Sequence, residues 1–197
     1  MKLLIATALL VCAPAFAADP AAGTLNFNFE NADITSVIKE YAKASGQKFI
    51  IDPHAEGKIT IINNGPITVQ EAFDQISSAL AVNGLAISKQ NDQMIIEHAR
   101  AVQRNLIDVS PELPPLHPTK MATWIVTLKY ISADEVNRQL RILTSAQGEE
   151  FPFGHNNQII ITDYTPNLHR VAKLIKEIDV PAGKSATKKS EAPKAKK

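Results

Sequence analysis

One pattern of elements can be read twice in this chain: a strand, a capped amphipathic helix, two strands, and a second capped amphipathic helix. The first copy runs from about Leu25 to Asn83 with a strand hairpin after it, and the second from about Thr123 to Asp179. A unit this small, switching between a period of two and a period of 3.6, can do little except bury one face of a sheet under its helices. The expected class is α+β, built as two small α/β modules in tandem. The expected boundaries are 1–17 for a signal peptide, 25–98 for the first module, 99–120 for a Pro-rich linker, 121–181 for the second module and 182–197 for a Lys-rich disordered tail.

In the first module, Leu25, Phe27 and Phe29 alternate with Asn26, Asn28 and Glu30, the signature of a half-buried opening strand. Ile34, Val37, Ile38, Tyr41 and Ala42 then fall on one helical stripe, with Asp33 placed to cap the helix and Gly46 to end it. Strands are expected over Lys48–Ile51 and Lys58–Ile62. Thr68-Val69-Gln70-Glu71 is a capping box that opens a second helix, whose stripe is Val69, Ala72, Phe73, Ile76 and Leu80. Leu85–Lys89 and Met94–Glu97 flank Gln90-Asn91-Asp92 as a hairpin.

From Ala99 to Lys120 the periodicity fades and four prolines fall between Pro111 and Pro118, which reads as a linker of limited flexibility. The alternative is a loop packed on one module. The second module opens with Trp124, Val126 and Leu128 alternating, followed by a second capping box at Ser132-Ala133-Asp134-Glu135. Strands over Glu149–Phe153 and Gln158–Thr162 flank a turn. Thr165-Pro166 then starts a last helix striped by Leu168, Val171, Ala172, Ile175 and Ile178.

The net charge of +1 conceals an asymmetry. Residues 184–197 carry +5, whereas residues 19–183 hold 14 Lys and Arg against 19 Asp and Glu. The body is mildly acidic and offers no nucleic-acid-binding face. The tail is suited to contact with an anionic surface. At the start, Lys2, the apolar run Leu3–Val11 and Ala15-Phe16-Ala17 form an export signal, with cleavage expected after Ala17 or Ala18. The only cysteine, Cys12, lies inside that signal. The mature chain is therefore expected to have no thiol, disulfide or Cys-ligated metal.

No catalytic constellation is present. His54, His98, His117, His155 and His169 have no metal-ligand spacing, and solvent-facing positions are expected for all five. There is no G-x-S-x-G and no Gly-rich phosphate loop, so the expected catalytic residues, metal sites and cofactors are none. Trp124 and the phenylalanines are read as core residues. The second module has the βαββα order of a eukaryotic-type KH domain. It lacks the G-x-x-G loop through which KH domains bind nucleic acid, so the resemblance is one of fold only.

Four stretches resemble the N-terminal periplasmic region of outer-membrane secretins of the type II secretion (protein D-like) kind. Phe27-Asn28-Phe29-Glu30-Asn31-Ala32-Asp33-Ile34 is similar to the family's entry into its first helix. Phe49-Ile50-Ile51-Asp52-Pro53 with Gly57-Lys58-Ile59-Thr60-Ile61 is similar to its next pair of strands. Leu128-Lys129-Tyr130-Ile131-Ser132-Ala133-Asp134-Glu135 and Asn157-Gln158-Ile159-Ile160-Ile161-Thr162-Asp163 are similar to the opening and the closing strand of its repeat. The resemblance implies a first module of the secretin/TonB short N-terminal type and a second of the KH-like secretin-repeat type. The family's alternating transmembrane strands are nowhere in the sequence, which implies no pore.

Function follows by the same resemblance. It implies a periplasmic docking component of a type II secretion or type IV pilus-like machine, associated with an outer-membrane secretin complex and not an enzyme. The implied partners are an inner-membrane clamp protein and a secretin ring, with homo-oligomers also open. Asn26, Asn28 and Glu30 become the partner-facing residues. Two alternatives stay open: a periplasmic signalling or adaptor module like the N-terminal domain of some outer-membrane receptors, and the product of a truncated or split secretin gene.

Overall fold

The structure is a computed structural model that describes residues 23–105 and 107–181. The expected signal peptide, its cleavage site at Ala17 or Ala18, Cys12 and the lysine-rich tail lie outside the described residues.

The first unit contains β1 (Thr24–Leu25), β2 (Phe29–Asp33), α1 (Ile34–Ser45), β3 (Lys48–Ile51), β4 (Lys58–Ile61), β5 (Ile67–Thr68), α2 (Val69–Val82), β6 (Leu85–Gln90) and β7 (Gln93–His98). β2 pairs antiparallel with β4, and β1 with β5. β3, β7 and β6 form a third sheet in which β3 runs parallel to β7. The two helices bury their predicted stripes. Ile34, Val37, Ile38 and Tyr41 of α1 meet Ile76 and Leu80 of α2 in one core.

The helix ends show what local chemistry decides. Thr68 Oγ1 accepts from Glu71 N (3.2 Å) and Glu71 Oε2 accepts from Thr68 N (2.8 Å), so both halves of that capping box are made. Gly46 ends α1 at φ 70°, a conformation that a side chain disfavours. Asp33 sits at the N-cap position with extended backbone, but its carboxylate makes no capping bond. Pairing with Lys58 carries β4 past this end, and the Gly57 carbonyl takes the Ile34 N–H instead (3.1 Å).

Residues 99–120 differ from the expected linker. They contain α3 (Ala99–Asn105) and β8 (Asp108–Ser110), and β8 pairs parallel with β9 (Met121–Thr127) as an outer strand of the second unit's sheet. The prolines that follow lack N–H groups but keep their carbonyls, and the second unit supplies donors to this stretch. Trp124 Nε1 donates to Pro111 O (3.2 Å), His169 Nε2 to Pro114 O (2.7 Å) and Thr165 Oγ1 to Leu116 O (3.0 Å). His169 is therefore engaged and half-buried where a solvent-facing position is expected. The other four histidines are exposed.

The second unit continues from β9 with α4 (Ala133–Leu140), a 3-10 turn (Arg141–Leu143), β10 (Glu149–Phe153), a second 3-10 turn (Gly154–Asn156), β11 (Gln158–Tyr164) and α5 (Thr165–Ile178). Its sheet has the order β10-β11-β9-β8, and α4 and α5 cover one face. Ser132 caps α4 by accepting from Glu135 N (3.2 Å). The return half of the expected box is not made, because Glu135 accepts from Gln139 instead (3.2 Å). Asp179, just past α5, closes the far end. Its carboxylate accepts the N–H groups of Lys129, Tyr130 and Ile131 at 2.7–3.2 Å. Burial pushes this carboxyl up, but the three N–H donors outweigh it and hold it below the ordinary range.

A third small core joins the units. Ala86, Ala99, Val102, Met121 and Tyr164 pack together, drawing on both units and on α3. Tyr164 donates its buried hydroxyl to Leu85 O (3.0 Å). Arg100 donates to Ala146 O (3.1 Å), and Gln103 to Gln147 O. Burial, helped by the neighbouring Asp163, raises the Tyr164 phenol above its ordinary value, so it stays a donor throughout the working pH range. Tyr164→Phe should cost about 1–3 kcal/mol, because it deprives a buried carbonyl of its donor without leaving a large void. A denaturant unfolding curve indistinguishable from wild type would show that this bond does not hold the joint.

Candidate docking surface

The opening segment, from Gly23 to Asp33, presents the expected two faces. Phe27 is fully buried, with its ring edge-to-face on Phe29 (centroids 4.8 Å) and on Tyr41 (6.4 Å). Leu25 and Phe29 are half-buried against the same core, and Asn26, Asn28 and Glu30 are exposed on the other side. The strand is not continuous. β1 and β2 are separate pairings, and a register shift between Phe29 and Ala32 bulges the chain at Asn31 (φ 48°), whose N–H goes to Thr60 Oγ1 (3.0 Å).

The three nominated residues are not equivalent. Asn28 Oδ1 accepts the Asn63 N–H (2.5 Å), Asn63 donates its side chain to Phe27 O (2.6 Å), and Gln75 Nε2 donates to Asn63 Oδ1 (2.7 Å). Asn28 thus fastens the turn after β4 to the opening segment as well as facing outward. No such bond is made by the side chains of Asn26 and Glu30 among the described residues.

A second surface departs from the sequence reading. Phe151 and Phe153, taken there as core, are 57% and 52% exposed. On β10 they lie opposite Ile160 and Gln158 of β11, and Ile160 lies opposite Ile125 of β9. The helices cover the other face, toward which Glu150 and Pro152 alternate. Alternation alone could not show which face is covered, because both faces of this strand mix polar and apolar residues.

Two other features lie apart from these surfaces. A cavity of about 230 Å³ lies at the joint, lined by Phe73, Ile87, Met94, Val102 and Met121 together with polar residues that include Ser77, Ser88 and the Lys120–Asp108 pair (2.5 Å). His54 Nδ1 stands 3.0 Å from Asp52 Oδ1 on the surface. The His54 backbone N–H and then its ring lower the Asp52 carboxyl. Among the described residues, no three His, Cys, Asp or Glu side chains gather where they could hold a metal ion.

Both units match known domains in the order found here. Residues 27–95 match the GspD-like N0 domain, and residues 123–184 match the bacterial type II/III secretion system short domain. The chain carries the N-terminal domains of the secretin family. The secretin XcpQ of Pseudomonas aeruginosa is 22% identical over 152 residues, covering 77% of this chain and 22% of that protein. The secretin ExeD of Aeromonas hydrophila is 24% identical over 178 residues, covering 89% of this chain and 26% of that protein. The chain thus spans about a quarter of the length of these secretins. Its fold is that of a chain in the Klebsiella pneumoniae type II secretion system outer membrane complex containing PulD, PulS and the PulC HR domain. There the TM-score is 0.68 at 20% identity, over 78% of this chain and 26% of that one. Among the described residues no helix is long and apolar enough to cross a membrane.

Proposed function

We propose that the chain is a periplasmic docking component of a type II secretion or type IV pilus-like secretin machine, working by binding and not by catalysis. The observation that carries this reading is the pair of secretin N-terminal domains joined in family order, with an exposed polar face on the opening segment of the first. A solved complex that places the secretin PulD with the HR domain of PulC supports an inner-membrane protein of that kind as the partner. The docking face is the outer side of the opening segment, with Asn26 and Glu30 available for contact and Asn28 serving both contact and fold. Among the described residues β2 pairs only with β4, and a strand with one side left open suits strand-edge docking.

The test is a titration of the HR-type domain of the inner-membrane partner from the same organism against wild type and an Asn26→Lys, Glu30→Lys double variant. Both positions are exposed and make no side-chain bond, so the unfolding curve should not move. Affinity should fall about tenfold or more, because two lysines place bulk and uncompensated charge where the partner must approach. Unchanged affinity with unchanged stability would remove the opening segment from the interface.

A further inference from the structure

Glu150 has no role in the docking reading, and its surroundings are unusual for a carboxylate. It points from β10, an outer strand of the second unit's sheet, toward the helix-covered face, opposite Ile161. Its side chain is only half-buried as a whole, yet both carboxylate oxygens are out of reach of water and neither has a hydrogen-bond partner. A carboxylate in that state loses its hydration and receives nothing in exchange, whereas the neutral acid loses far less.

The elements packed on Glu150 do little for the charged form. On α4, which lies against β10, Asp134 and Arg138 are exposed and Glu135 is engaged with Gln139. Asn137 on the same helix has a buried Oδ1 that also lacks a partner. A neutral Glu150 carries an O–H, the kind of group that this acceptor lacks. Arg141, just past α4, is the cation whose field favours ionisation. On β11, Asp163 shares the face of Glu150 by alternation, and its oxygens are held by Ser145 and Asn167. Glu149 is exposed on the opposite face.

We propose that Glu150 makes this outer edge of the second unit proton-sensitive. β10 is seated against α4 with the acid neutral, and ionisation draws the side chain toward water and loosens the strand. The consequence reaches the surface, because Phe151 and Phe153 ride on the same strand. It also bears on the edge itself. An inward-pointing acid and a proline, here Glu150 and Pro152, both make an edge strand a poor template for adding another strand. Loosening β10 would alter the shape of the aromatic face without opening a clean edge.

The direction with pH follows from linkage. Burial pushes the Glu150 carboxyl from 4.5 up to about 7, with Arg141 pulling partly back. The folded chain therefore keeps this proton to higher pH than the unfolded chain does. The stability it contributes is complete below about pH 4.5 and is lost as pH rises through about 7. Two measurements test this on the mature chain. A carboxyl-carbon NMR titration should place the Glu150 midpoint near 7. Unfolding curves from pH 5 to 8 should show the folding equilibrium constant of wild type falling relative to Glu150→Gln by about tenfold or more. The glutamine cannot ionise, and histidine titrations common to both proteins cancel in the comparison. A Glu150 midpoint in the ordinary range, near 4.5, would overturn the proposal even if the variant failed to fold. A wild-type to Gln difference that stays constant from pH 5 to 8 would overturn it as well. Neither outcome bears on the opening segment, so this proposal and the docking reading fail separately.

Discussion

Asp163→Ala is expected to destabilise the chain by about 3–5 kcal/mol, because it orphans four donors in one step, one buried and three part-buried. Asp163 is completely buried. Its carboxylate accepts from Ser145 N (2.8 Å), Ser145 Oγ (2.6 Å), Tyr164 N (2.7 Å) and the Asn167 side chain. The fit is close: a Cβ on Gly148 would stand 2.5 Å from Asp163 Oδ2, so the loop before β10 can pass only because that residue is glycine. This loop also supplies the Ala146 and Gln147 carbonyls that α3 grips. Removing the carboxylate therefore releases the loop from the second unit and removes the fixed point on which the joint rests. Asp163→Asn, with similar volume, should recover only part of the loss, since it turns one acceptor atom into a donor that faces donors. Denaturant unfolding of the three proteins, together with amide exchange on residues 145–148 and α3, checks both parts. A loss under about 1 kcal/mol, or exchange that rises in the loop but not in α3, would show that Asp163 does not set the joint.

The importance of Asp163 is not legible in the sequence, and the reason is physical. It lies in the strand Gln158–Tyr164, where its side is readable, but its partners come from a loop 18 residues earlier and from the next helix. The same holds for residues 99–120. Besides the pairing of β8 with β9, carbonyls of this stretch are taken by side chains of Trp124, His169 and Thr165, which no local pattern announces. What is legible is what short-range chemistry controls: the Thr68 box, the Gly46 stop, the helix stripes and the alternation of Leu25, Phe27 and Phe29. The two faces of the opening segment are therefore readable from alternation alone, whereas the tie between Asn28 and Asn63, across 35 residues, is not. Phe151 and Phe153 mark the same boundary. Alternation puts them on one face, but which face the helices cover is a tertiary fact.

The other large effect is expected at Phe27, and it separates fold from docking on a single segment. Phe27→Ala should cost about 3–5 kcal/mol, the range for emptying a fully buried aromatic site. The ring is 0% exposed and stacks edge-on with both Phe29 and Tyr41, so its removal breaks two aromatic contacts and leaves a void between the opening segment and α1. The backbone around it cannot readily close that void. Leu25 is held to Ile67, Phe29 to Ile61, and Phe27 O accepts from Asn63, so both flanks and the residue itself are pinned. Lys39→Ala, exposed on α1, should stay within about 0.5 kcal/mol and serves as the control. If Phe27→Ala proved as mild as Lys39→Ala, the inward face of the segment would be wrongly assigned, and Asn26 and Glu30 could no longer be its outward face. If the cost falls in the expected range, a loss of binding by Phe27→Ala reports only the missing scaffold. Loss of binding by Asn26→Lys, Glu30→Lys at unchanged stability then reports the interface itself. The two neighbouring sets of residues thus yield opposite pairs of readings, and period-two alternation on one short segment is the physical cause of the difference.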